Sequence, residues 1–202
     1  APLGSSGVTW TWSAVPTAVS YTLESSTGTN LAVTAALTHT VTNLSANAAF
    51  GARLRANNAS GSGDFGPTVT VFTHPNAPTT TVVTNVGTAT ARVAWNANSN
   101  PGNTSFQVQI SSRSDFAGLQ ASVSAAGTET VVGGLQTGTA YFARVRASGF
   151  GGSSSAFDTT GPFTTLSFAA VSSTAAPATP YAFPSDTVAV YHFDEAGTTR
   201  AA

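Results

Sequence analysis

Leu135-Gln-Thr-Gly-Thr-Ala-Tyr141-Phe-Ala-Arg-Val-Arg-Ala147 is the stretch whose reading decides the fold of this chain. From Tyr141 onward, Tyr, Ala, Val and Ala fall on one face, and Phe, Arg and Arg fall on the other. A period of two is that of a strand with one face in a core, because successive side chains of an extended chain point to opposite sides. The stretch has an earlier echo. Leu44, Phe50, Arg53, Arg55 and Ala56 recur as Leu135, Tyr141, Arg144, Arg146 and Ala147 at a constant offset of 91, with the aromatic six positions after the Leu each time. A fixed offset kept over five positions marks an internal repeat.

Working outward, Trp12 followed by Tyr21 corresponds to Trp95 followed by Phe106, and Gly66-Pro67 corresponds to Gly161-Pro162. Phe50, Ala52, Leu54 and Ala56 repeat the apolar stripe, while Val8, Trp10, Trp12 and Val93, Trp95 begin similar strands. Turn residues cluster at Asn98 to Gly102 and at Gly149 to Ser155, and no segment keeps a helical spacing. The expectation is an all-β chain of two tandem antiparallel β-sandwiches, residues 1–75 and 76–166, each of about seven short strands.

An early Trp in each copy, followed by the Leu135 to Ala147 stretch, resembles the fibronectin type III domain, an Ig-like β-sandwich whose sixth strand opens with a Leu, a turn and a core Tyr. The resemblance covers roughly residues 1 to 166. Copy one departs from it at two points. Phe50 stands at the Tyr position, so the hydroxyl that would cap a tyrosine corner is missing, a loss of about 1 kcal/mol. Copy two has room for a first strand at Thr79 to Thr84, whereas copy one has eleven residues before Trp12, so its first strand is short or missing. The Gly61-Ser62-Gly63-Asp64 loop carries Ser62 where an Arg-Gly-Asp integrin motif would need Arg, and that function is not carried over.

Residues 167–184 are rich in Ala, Ser, Thr and Pro and read as a linker. Residues 185–202 hold a C-terminal extended strand, Thr187-Val-Ala-Val-Tyr-His-Phe193, with Asp194 to Gly197 ending it. One strand needs a partner sheet. Tyr191 to Thr199 resembles the opening of laminin-G-like (concanavalin A-like) lectin domains, which implies a stub of a longer secreted protein in which the repeats act as accessory spacer or carbohydrate-adhesion region. Alternatively the strand packs on its own chain, or it completes the deficient first copy of the next subunit by strand addition. In that last case Val188, Val190, Tyr191 and Phe193 form the self-association strand, and a head-to-tail contact that does not close builds a fibre.

The composition narrows the function classes. The chain has 202 residues, 41% hydrophobic and 7% charged, with net charge -1, 33 Thr, 24 Ser, seven Arg and no Lys, Cys or Met. Sparse single charges provide no basic stripe for phosphates, so nucleic acid is not an expected partner, and no apolar run is long enough for a membrane span. Without Cys there are no disulfides or thiolate sites. A chain starting at Ala1 points to a missing signal peptide or a longer missing N-terminal part, and the composition gives an extracellular or cell-surface location as the expectation.

No catalytic, metal or cofactor site is expected. His39, His74 and His192 have no His partner at ligand spacing, and Asp194 and Glu195, adjacent on a strand, face opposite sides. Gly61 to Asp64 reads as a turn rather than a nucleophile elbow. Phe150, in the glycine-rich Gly149 to Gly152 loop, is a candidate contact residue, and Arg53, Arg55, Arg144 and Arg146 read as solvated outward ladders that discourage edge association. Asn43, Asn58 and Asn103 lie in acceptor sequons, and residues 172 to 187 are dense enough in Ser and Thr to carry O-linked sugar. Trp10 and Trp12 share a strand face, which favours the core over a carbohydrate platform. The expected function is a non-catalytic extracellular structural protein, a spacer or fibre subunit.

Overall fold

Alternating side chains, Thr- and Val-rich runs and Gly/Asn punctuation resolve into antiparallel strands in a computed structural model, which describes residues 1–168. Those residues form one compact unit, and the elements among them are all strands. In copy one these are β1 (Val8–Thr11), β2 (Ser20–Ser25), β3 (Asn30–Thr34), β4 (Thr38–Val41), β5 (Ala49–Asn58), β6 (Gly61–Ser62) and β7 (Val69–Phe72). In copy two they are β8 (Thr79–Thr84), β9 (Thr90–Asn96), β10 (Ser105–Ser111), β11 (Ala121–Ala125), β12 (Glu129–Gly133), β13 (Ala140–Ser148) and β14 (Asp158–Thr164). The expected all-β architecture of tandem sandwiches is the one observed.

Copy two packs the sheet β12-β9-β8 against β11-β10-β13-β14. In β13, Tyr141, Ala143, Val145 and Ala147 are buried, while Phe142, Arg144 and Arg146 alternate with them on the other face. They meet Val93 and Trp95 of β9, Phe106, Val108 and Ile110 of β10, Val132 of β12, and Leu135 in one contiguous core. Burying each such aliphatic side chain contributes about 1.5 to 3 kcal/mol. The Tyr141 hydroxyl accepts the Gln136 N–H at 3.0 Å, which fixes the corner before β13.

Copy one uses the same plan with less covering. Its sheets are β1-β4 and β3-β2-β5-β6, with β7 also on β5. Where copy two has β8, copy one has only the Ala1–Leu3 segment. Pro2 bridges Val8, the Ala1 amine donates to the Thr9 carbonyl at 2.6 Å, and the Thr9 N–H returns a bond to the Ala1 carbonyl at 2.9 Å. The last strand is split, with Gly63 and Gly66 donating to the Ala56 and Leu54 carbonyls between β6 and β7. Val8, Tyr21, Leu23 and Ala52 are buried, but Phe50, Leu54 and Ala56 are only half-buried. Phe50 leaves the corner uncapped, and a different hydroxyl acts nearby: Tyr21 accepts the Val15 N–H at 2.8 Å, tying down the β1–β2 connection.

The arginine ladders differ from the solvated faces expected of them. Arg53 and Arg55 lie over the Phe65 ring at 4.5 and 4.6 Å, and Arg144 and Arg146 lie over Phe157 at 4.0 and 4.9 Å. Arg144 also stacks on Phe116 at 4.2 Å. Each pair is further fixed from the neighbouring strand: Glu24 pairs with Arg53, while Gln109 and Gln107 accept from Arg144 and Arg146 at 2.8 Å. Burial, and then the charge of Arg146, pull the Arg144 guanidinium below its ordinary pKa. The physical reason is that an aromatic after each glycine-rich loop folds back over the strand, attracting the cations through its ring face.

The strand expected at Val188, Val190, Tyr191 and Phe193 lies outside the described residues. So do His192, the Asp194/Glu195 pair, the lectin-like segment, the O-glycosylation stretch and most of the 167–184 linker.

Candidate functional site at the joint between the sandwiches

The residues that hold the two copies together come from the end of copy one, the connection 73–78 and the loops of copy two nearest to it. Thr73, almost fully buried, donates its hydroxyl to the Ser45 carbonyl at 2.6 Å and accepts the Ala48 N–H at 3.0 Å. This fixes the turn that carries Asn47. Asn47 has φ of 48°, a left-handed conformation that Asn tolerates better than most residues, and it is fully buried. Its N–H donates to the His74 carbonyl at 3.1 Å.

The Asn47 side chain reaches into copy two with both ends. Nδ2 donates to Thr104 Oγ1 at 2.9 Å, and Oδ1 accepts the Phe150 N–H at 2.8 Å. Thr104 is itself fully buried. Beside this pair, the Phe150 ring meets Phe72 of β7 edge-on, with centroids 6.4 Å apart. Two glycines permit the approach. A Cβ at Gly149 would stand 2.9 Å from Pro75, and one at Gly151 would stand 3.0 Å from Phe72 Cβ.

The connection is then clamped from below by three asparagines. Asn76 N–H donates to Asn100 Oδ1 at 2.9 Å, and Asn100 Nδ2 returns a bond to the Asn76 carbonyl at 2.8 Å. Asn76 Nδ2 reaches the Asn98 carbonyl at 2.9 Å, and Asn98 Nδ2 reaches the Ala77 carbonyl at 2.8 Å. The His74 N–H donates to the Gly4 carbonyl at 3.0 Å, so the N-terminal segment braces the same connection. A linker whose backbone groups are satisfied by neighbouring side chains has little freedom to bend.

The second notable region is the side of copy one. In copy two, the edge of β8 is closed against β14, with the Thr81 N–H donating to Asp158 Oδ2 at 2.8 Å. At the equivalent place in copy one, an open cleft of about 200 Å³ is lined mainly by apolar side chains, Trp10, Trp12, Leu23, Leu54 and Val69 among them, with Arg53 also at its wall. Trp10 packs on Phe50 and Trp12 on Tyr21, at 6.4 and 5.8 Å between centroids, so both rings belong to the core. Their indole N–H groups are buried without a hydrogen-bond partner, as is that of Trp95 in copy two.

The other singled-out residues are scattered. Asn43 and Asn58 are exposed in copy one, with Asn58 Oδ1 accepting the Ser60 N–H at 2.9 Å. Asn103 is exposed immediately before Thr104, at the rim of the joint. His39 pairs opposite Trp10 in β4, while His74 acts through its backbone in the joint. Among the described residues, no cluster of three His, Asp or Glu side chains could hold a metal ion, and no helix is long and apolar enough to cross a membrane. Sequence reasoning did not single out Asn47, Asn76, Asn98 or Asn100. Asn76 lies at the predicted domain edge, whereas Asn47, Asn98 and Asn100 lie well inside the copies, and each reads as ordinary turn chemistry.

The fold and joint define a tandem β-sandwich module. Residues 76–160, within copy two, match the family model of the fibronectin type III domain. Among solved structures, a two-domain fibronectin type III segment of chicken tenascin is similar, with 17% identity, a TM-score of 0.54, and coverage of 80% of this chain and 94% of that one. At this identity the likeness shows the fold. The first three fibronectin type III domains of chicken CNTN1 align at 17% identity and a TM-score of 0.41 over 81% of this chain and 65% of that one. A structure titled FN3tt aligns at 31% identity and a TM-score of 0.34 over 37% of this chain and 83% of that one. No curated protein matches the chain. Fibronectin type III domains are commonly extracellular structural or interaction modules.

Proposed function

We propose that this protein is a non-catalytic extracellular structural module in which two sandwiches are locked in line to act as a rigid spacer. The observation that carries the reading is Asn47: a fully buried side chain of one sandwich uses its donor and its acceptor on the other. A buried amide satisfied at both ends is costly to pull out, because separation leaves the Thr104 hydroxyl and the Phe150 N–H to find new partners. A joint built this way holds whatever lies beyond each end at a fixed separation and angle.

The test is rotational. In NMR relaxation of the whole chain, the amides of both sandwiches are expected to report one common tumbling time, and Asn47→Ala is expected to split it into two. Two independent tumbling times in the unmodified protein would overturn the spacer reading.

A further inference from the structure

The open side of copy one supports a specific use. Val8 and Trp10 of β1 point their N–H and C=O groups at β4, and Trp12, just past β1, continues the pattern by donating its N–H to the Leu37 carbonyl at 3.1 Å. The alternate residues Thr9 and Thr11 therefore face outward. Thr9 spends both of its groups on Ala1. Thr11 presents the next pair at an uncovered edge, beside a cleft floored by Trp10, Trp12, Leu23 and Leu54 and rimmed by Val69, which is 53% exposed. An unpaired edge next to exposed core is a template for another strand.

Copy two shows what fits there. Its covering strand β8 lays Thr81 and Val83 against the core at positions i and i+2, with Val82 turned outward. The segment Thr187-Val188-Ala-Val190-Tyr191-His-Phe193 carries a β-branched i, i+2 pair of the same kind, Val188 and Val190. The position of the chain's exit favours a second molecule over the same one. Leu166 donates to the Gly87 carbonyl and Gly138 donates to the Leu166 carbonyl, so residue 168 leaves copy two beside the β8–β9 and β12–β13 loops. The joint is built from the β9–β10 and β13–β14 loops, at the opposite pole. The tail thus starts on the side of copy two away from copy one.

We infer that the cleft between β1 and β7 of copy one is the receiving site for residues 187–193 of a second copy of this chain, which pair with the Thr11 edge and seat Val188 and Val190 over Trp10 and Trp12. This assembly rests on the structural reading above and deepens it, turning the spacer into a repeating unit. Each molecule then receives at its first sandwich and donates from its last segment, a heterologous contact that propagates rather than closes.

The experiment uses two full-length variants. Val188→Asp with Val190→Asp disables the donor strand, and Val69→Arg obstructs the cleft at an exposed position. Sedimentation is expected to show concentration-dependent chains for the unmodified protein, monomers for each variant alone, and a one-to-one dimer when the two are mixed, because one intact donor then meets one intact cleft. A blue shift of tryptophan emission on mixing accompanies the covering of Trp10 and Trp12. Unmodified protein that stays monomeric overturns the inference, as does assembly that survives in both variants. Single-body tumbling of a monomer would leave the spacer reading standing while the assembly fell.

Discussion

The two sandwiches share a strand plan and differ in how completely it is closed. In copy two, a six-residue strand covers the edge of β9, and the Asp158 carboxylate ties that cover to β14, so twelve apolar side chains form one sealed cluster. In copy one, with a three-residue stub and a split last strand, Phe50, Leu54 and Ala56 are half-buried, and a cleft opens beside Leu54. The lesson is that the central strands set the fold, while the flanking strands set how much of the core water can reach. Copy two supplies the stability, and copy one supplies an edge.

The largest effect that would sharpen the contrast is a core truncation in each half. Ile110→Ala is expected to destabilise by about 3 kcal/mol, and Leu54→Ala by about 1 to 2 kcal/mol because less of its surface is buried to begin with. Equal midpoint shifts in chemical denaturation would break the comparison. Next in size, Asp158→Ala should make copy two resemble copy one: the Thr81 N–H loses its partner, costing about 1 to 2 kcal/mol. Hydrogen exchange should then accelerate in β8 while β10 and β13 stay protected.

Tyr141→Phe removes the corner bond to Gln136 and is expected to cost about 1 kcal/mol in thermal unfolding. Tyr21→Phe should cost a similar amount through Val15, since copy one places its hydroxyl at a different corner. The smallest effect concerns the second hairpin turn of each copy. In copy two, the bidentate Arg113 hydrogen bond and then the Ala117 N–H hold the Asp115 carboxyl down at about 2 against an ordinary 3.8. A depressed folded-state pKa stabilises above the ordinary value, and that contribution is lost as pH falls from about 4 to about 2. The loss is small because the pair is fully exposed. Copy one closes the matching turn with neutral groups, the Thr29 N–H on Ser25 Oγ at 3.0 Å. Comparing Asp115→Asn with the unmodified protein across that range should therefore remove a slight acid sensitivity that copy one lacks.

The strand stripes were legible because burial on one face leaves a period of two, and Tyr141 to Ala147 shows it at every position. The 91-residue echo made the duplication legible before any coordinate. What the sequence hid was long-range and polar. Asn47 and Thr104 are 57 positions apart and belong to no periodic pattern, so their hydrogen bond has no local trace. Phe65 and Phe157 sit in loops, where nothing in the spacing says that each ring will turn back over a pair of arginines. Asparagine in a turn reads the same whether its side chain caps its own loop or crosses to a neighbouring domain.

Those arginine stacks carry a final consequence. Four of the seven cations of the chain spend their charge on ring faces, amide oxygens and one carboxylate at contact distance. Attractions made at contact and partly out of water are screened far less by dissolved ions than charges separated across a wet surface. With only 7% charged residues besides, the molecule has little for electrolyte to weaken or strengthen. Its cohesion is therefore expected to change little as salt concentration is raised or lowered.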